Sequence, residues 1–137
     1  MSNCLGQFVE EAVRPSTVRL FSQRGIEVHE IYQNVTAKRN DEELEIDLLV
    51  VNNQDAVIIE CKSNLSFDDV NEHLNRLEKI KRLMPAYSGK RISGAVARMV
   101  ISENVATYAI CKGLYVIGQN DDHLELCNEA EFVAKVW

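Results

Sequence analysis

The chain has 137 residues, 46% apolar and 26% charged, with six Gly and two Pro. These proportions exclude disordered, collagen-like and low-complexity polypeptides and fit one globular domain over residues 1–137. A formal net charge of −6 argues against a broad basic surface for nucleic acid, though it leaves local fields open, since metal-binding carboxylates add negative charge of their own. No apolar run approaches a membrane span and no basic-then-apolar leader opens the chain, so a cytoplasmic location is the default expectation.

Leu5, Phe8, Val9, Ala12 and Val13 recur at helical spacing, and Val18, Leu20 and Phe21 extend the stripe to Gly25. A first helix over 4–24 is expected, with Pro15 kinking or restarting it. Residues 26–37 read as a strand, with a turn between Lys38 and Glu43 around Asn40 and Asp41. A second strand covers 44–51, a turn 52–55 and a third strand 56–62. Ser66-Phe67-Asp68-Asp69 matches a capping box, and Val70, Leu74, Leu77, Ile80 and Met84 mark one face of a helix ending at Pro85. Beyond it come a strand near 92–101, a helix over 103–112, a strand over 114–117, a short strand near Leu124 and a terminal helix. The expected fold class is α/β, an α+β mixed sheet flanked by helices with an αβββαβ core.

The second hairpin is where charge and rigid backbone meet. Strict alternation puts Glu45 and Asp47 on one face of their strand, Leu44, Ile46, Leu48 and Val50 on the other, and Glu60 and Lys62 together on one face of the next. Either a two-residue or a four-residue turn pairs Val51 with Ala56 and Leu49 with Ile58, which sets Asp47 opposite Glu60 and Glu45 opposite Lys62. Opposed carboxylates at about 5 Å repel unless a cation lies between them. Hard oxygen ligands on a rigid sheet suit Mg²⁺ or Mn²⁺, and phosphodiester hydrolysis is the reaction such a site favours. Lys62 would orient water or steady negative oxygens. The plainer alternative is an exposed Glu45–Lys62 ion pair with Asp47 and Glu60 keeping the face wet; the apolar content of both strands weighs against it.

An Asp on one strand followed by Glu-x-Lys on the next, here Glu45-Ile46-Asp47 and Glu60-Cys61-Lys62, resembles the PD-(D/E)XK nuclease superfamily. With Gly6-Gln7-Phe8-Val9-Glu10, Leu48-Leu49-Val50-Val51, Ser63 and Gly94-Ala95-Val96, most of the chain resembles an uncharacterised prokaryotic family within it. The resemblance implies a restriction-endonuclease-like fold, Asp47 and Glu60 as metal ligands with the Cys61 carbonyl as a further one, Lys62 as the catalytic lysine, and a helix-1 glutamate after Gly6. Glu10 is preferred for that last role, with Glu11 open. Ile46 stands where the superfamily's name has proline, which leaves the ligands intact.

Lys38 and Arg39 on the first hairpin tip are the expected nucleic-acid contacts, DNA being the expected partner. Cutting both strands of a duplex needs two sites, so function, not a sequence signal, points to a symmetric homodimer. Cys4, Cys61, Cys111 and Cys127 lack metal-site spacing, and Cys61 should point into the core, so a zinc or thiol-redox protein is a weak third reading. His29, His73 and His123 carry no ligand spacing, and His73 is expected to face partly out of its helix. A non-catalytic interaction or dimerisation module on the same scaffold is the main competing function.

Overall fold

The computed structural model describes residues 4–99 and 102–137, with residues 4–8 described by backbone alone. Six strands form one sheet in the order β1 (Glu30–Arg39), β2 (Glu42–Val51), β3 (Asp55–Cys61), β4 (Arg91–Ala97), β5 (Tyr115–Asn120) and β6 (His123–Leu126). The first three pair antiparallel, β3–β4 and β4–β5 pair parallel, and β5–β6 closes antiparallel. Two parallel pairings require two crossovers, and helices α3 (Phe67–Leu83) and α4 (Glu103–Cys111) supply them. Val70, Leu77 and Ile80 of α3 and Val105 and Ala109 of α4 share one core with Ile58, Val96 and Val116. Helices α1 (Cys4–Val13) and α2 (Thr17–Ser22) cover the opposite face, where Val9, Val13, Leu20 and Phe21 meet Val57, Ile59, Cys61 and Ile117.

Pro15 acts as its chemistry dictates: α1 stops at Val13, Arg14–Ser16 form a 3-10 turn, and α2 restarts at Thr17. The long single helix expected over 4–24 is therefore two short ones, ending before Gly25 at φ +76°. The first hairpin is tighter than expected. Only Asn40 and Asp41 form its turn, both at positive φ (53° and 64°), so Lys38 and Arg39 lie inside the ladder, opposite Glu43 and Glu42. The capping box forms in full: Asp69 N donates to Ser66 Oγ at 3.1 Å and Ser66 N to Asp69 Oδ2 at 2.9 Å.

The terminal helix does not form. After β6 the chain is irregular, because it has its hydrogen bonds elsewhere. The buried Asn128 side chain accepts from Val116 N (2.8 Å) and donates to Leu114 O (3.0 Å), so it stands in for one more residue of β6. Lys135 N then donates to Gly113 O and Trp137 N to Ile92 O.

One departure positions the site. Strict alternation along β2 fails at Asp47: Leu44 and Ile46 belong to the α3–α4 core with Leu49 and Val51, whereas Leu48 and Val50 belong to the α1–α2 core. The neighbouring strand does the same, Ile31 packing on one core and Val35 and Ala37 on the other. Between Gln33↔Leu48 and Val35↔Ile46 the ladder skips one pair, Asn34 and Asp47, and Asn34 sits at φ 53°. An asparagine tolerates that left-handed backbone, so both strands turn over together at this point. The expected sharing of a face by Leu44, Ile46, Leu48 and Val50 is thus corrected by a paired kink.

Candidate functional site

The β2–β3 register is the expected one, Val51 with Ala56 and Leu49 with Ile58, but its paired residues end at Leu48↔Ile59. Where the ladder stops, the Asp47 side chain takes over. Its Oδ2 accepts from Cys61 N at 2.8 Å, an amide that would otherwise donate to the β2 backbone. Asp47 and Glu60 therefore meet through a splayed strand end and not as a cross-strand pair. Glu45 does not join Lys62: it pairs in the ladder with Thr36 and lies exposed on the rim of a groove of about 450 Å³ with Glu43, Leu44, Glu72, Asn75, Arg76 and Lys79.

Three carboxyl groups form a chain from one side of the sheet to the other. Glu10 of α1 is 3% exposed and Glu60 of β3 is 7% exposed, with half-buried Asp47 touching both. Burial first, then the neighbouring Asp47, pushes Glu10 up to about 7. Burial first, then the neighbouring Asp47 carboxyl, pushes Glu60 up to about 8, against the lowering pull of Arg76 and Lys62. Glu11, by contrast, is exposed and paired with Arg14 at 2.8 Å. Helix α1 thus turns Glu10 toward Asp47 and Glu11 toward solvent.

Glu10 Oε1 is buried without a hydrogen-bond partner. A buried acceptor left bare is costly unless something electropositive serves it. The donor set of Glu10, Asp47 and Glu60 is all hard oxygen, and burial beside a neighbouring carboxyl holds Glu10 and Glu60 above the usual carboxylate range; both features fit a divalent ion such as Mg²⁺ or Mn²⁺. As they stand, no three acidic, His or Cys side chains among the described residues are gathered closely enough to hold a metal. The three are linked in a line, not closed around a point. Cys61 is 2% exposed in the α1–α2 core, its thiol held protonated by burial, so only its carbonyl is available as a ligand. Lys62 follows at the strand end, half-buried, its amide donating to Ala97 O at 2.9 Å, and enters no salt bridge among the described residues.

Two residues escaped the sequence reading. His73 does not face out of its helix; it is fully buried, because the α3 stripe runs Val70, His73, Leu77, Ile80, Leu83. Arg76, one turn on, pairs with Glu60 Oε2 at 2.9 Å. The 3-4-3-3 spacing of that stripe was the available signal for His73, and the i,i+3 offset for Arg76. Lys38 and Arg39 are exposed on the hairpin, each facing a glutamate, and Arg82 of α3 grips Glu42 beside them.

The mixed six-stranded sheet, antiparallel on one side, parallel in the middle and flanked by helices on both faces, is compatible with a restriction-endonuclease-like fold. The crystal structure of a protein of unknown function, AF1548, superimposes with a TM-score of 0.57 at 21% identity over 80% of this chain, which shows a shared fold. This chain spans 57% of that protein's length. The small subunit (R.BspD6I2) of the heterodimeric restriction endonuclease R.BspD6I matches at a TM-score of 0.39 and 16% identity, over 84% of this chain and 70% of that one, too loosely to bear on function. No family model matches the chain, and no curated protein is similar to it in sequence. No described helix is long and apolar enough to cross a membrane.

Proposed function

We propose that this protein is a metal-dependent nuclease of the PD-(D/E)XK type that hydrolyses phosphodiester bonds, DNA being the substrate. The observation that carries the reading is the line of carboxyls Glu10–Asp47–Glu60, buried at both ends, with an unserved oxygen on Glu10 and Lys62 at the strand end beside it. Asp47, Glu60, Glu10 and the Cys61 carbonyl would hold Mg²⁺ or Mn²⁺. The ion, when bound, supplies Lewis acidity toward the phosphodiester and lowers the pKa of water. The chain's own residues do the rest. Glu10 and Glu60, held above the usual carboxylate range by burial, would be ionised as ligands of such an ion. The Cys61 amide holds Asp47 in place from the backbone. Lys62, on its short tether to β3, steadies negative charge on the phosphate or orients water. Lys38 and Arg39 would reach the nucleic-acid backbone from the hairpin, and a homodimer would supply the second site that a duplex cut requires.

Purified protein incubated with DNA substrates and Mg²⁺ or Mn²⁺ tests the reading. Cleavage is expected, and its loss in Asp47→Ala and Lys62→Ala; cleavage unchanged in both variants would exclude this site. A second reading, a non-catalytic interaction or dimerisation module on the same scaffold, is favoured by the charge of −6 and by the glutamates facing Lys38 and Arg39. It predicts no metal-dependent cleavage and partner binding untouched by Glu60→Ala.

A further inference from the structure

His73 is fully buried beneath the sheet, where a leucine would cost nothing in desolvation. Its Nε2 lies 3.0 Å from Ile58 O. A carbonyl only accepts, so the proton is on Nε2 and Nδ1 presents a bare lone pair. Arg76 Nη1 lies 2.7 Å from that Nδ1 and 2.9 Å from Glu60 Oε2. A guanidinium nitrogen carries two hydrogens, and here each has its own acceptor. Burial and the neighbouring guanidinium push His73 down to about 3, so the imidazole stays neutral and keeps accepting.

The result is a closed ring: from the Ile58 carbonyl through His73 and Arg76 of α3 to the Glu60 side chain, two residues along the same strand. Arg76 cannot swing away without giving up both hydrogen bonds, and Glu60 cannot rotate without leaving a mostly buried guanidinium unpaired. The ring engages Oε2 and leaves the other Glu60 oxygen outside it, available to the side shared with Asp47.

We propose that Arg76, fixed by His73, is a positioning residue for the divalent-ion site: it holds Glu60 in the orientation that presents its other oxygen to an ion shared with Asp47. The inference rests on the metal-binding reading above. It goes further in assigning ion affinity to two residues of α3 that do not touch the ion. Partners of this kind that orient metal-ligating side chains typically change affinity by about 10- to 100-fold when removed.

Calorimetric titration of Mn²⁺ into the purified chain tests it, with thermal unfolding in chelator confirming that each variant is folded. Arg76→Gln and His73→Leu are expected to weaken Mn²⁺ binding about ten-fold or more. Arg76→Lys keeps the charge but not the planar fork, and is expected to lose affinity comparably. His73→Gln is the rescue, since its carboxamide can donate to Ile58 O and accept from Arg76, and should stay close to wild type. Wild-type uptake abolished in Asp47→Ala but unchanged in Arg76→Gln overturns this inference alone. Full affinity in Arg76→Lys also overturns it, because charge and not orientation would then suffice. A wild-type chain that takes up no Mn²⁺ removes the metal reading and this inference with it. Should His73→Leu fail to fold, the Arg76 pair carries the test.

Discussion

Raising the pH of the metal-free protein from about 6.5 to about 8.5 is expected to remove about 2 to 3 kcal/mol of folding stability. Glu10 and Glu60 titrate near 7 and 8 in the folded chain against 4.5 when unfolded. Over that interval the native state binds more protons than the unfolded one, so their stabilisation is complete below 4.5 and declines until each folded value is passed. His73 runs the other way. Held near 3 against 6.5 unfolded, it destabilises the fold mainly as pH drops below 6.5 and offsets less than about 0.5 kcal/mol of the loss above. Above 6.5, then, two protons separate the states until Glu10 ionises and one until Glu60 does. At about 1.4 kcal/mol per proton per pH unit, the total is the figure above. Urea unfolding followed by far-UV circular dichroism, in chelator, across this range measures it. The double variant Glu10→Gln/Glu60→Gln should flatten the profile. A wild-type profile that is flat or rises with pH would refute the buried carboxyl cluster, as would an equal slope in the double variant.

Three further outcomes follow from particular contacts. Asn34→Gly should stay within about 1 kcal/mol of wild type while Asn34→Val loses about 1 to 3 kcal/mol, since only the valine resists a φ of 53°; equal urea midpoints for the two would mean that the paired kink is not required. Ser66→Ala removes one half of the α3 capping box and should cost about 1 kcal/mol by the same measurement. Gly113 sits at φ +90°, and a Cβ there would lie 2.5 Å from Lys135 Cβ. Gly113→Ala is therefore expected to lose about 1 to 3 kcal/mol and to speed proteolysis of the 127–137 segment.

Much of the fold was legible because it is local. The turn chemistry at 52–55 alone sets the pairing of Val51 with Ala56, and Ser66 with Asp69 announces the start of α3. Apolar periods of two and near 3.6 mark out a mixed sheet with helices. That register carries Asp47 toward Glu60, but the pairing ends at Leu48↔Ile59 and the two side chains meet only at the splayed strand end.

The exact disposition of those groups was not legible, for a reason common to every miss. A period says which residues share a face only while the backbone repeats, and one asparagine at positive φ beside Asp47 ends the repeat without altering the apolar pattern of either strand. Glu10 and Glu11 are adjacent in sequence and equivalent in composition; only the packing of α1 on β3 turns one inward and leaves the other to Arg14. His73 reads as polar until α3 lies against Ile58 O, and the chain beyond β6 reads as helix until Asn128, Lys135 and Trp137 find backbone partners on β4, β5 and the loop at Gly113. Hydrogen-bonding type and hydrophobic period are properties of neighbouring residues, whereas burial of a particular carboxyl or imidazole depends on elements dozens of residues away arriving at the same place.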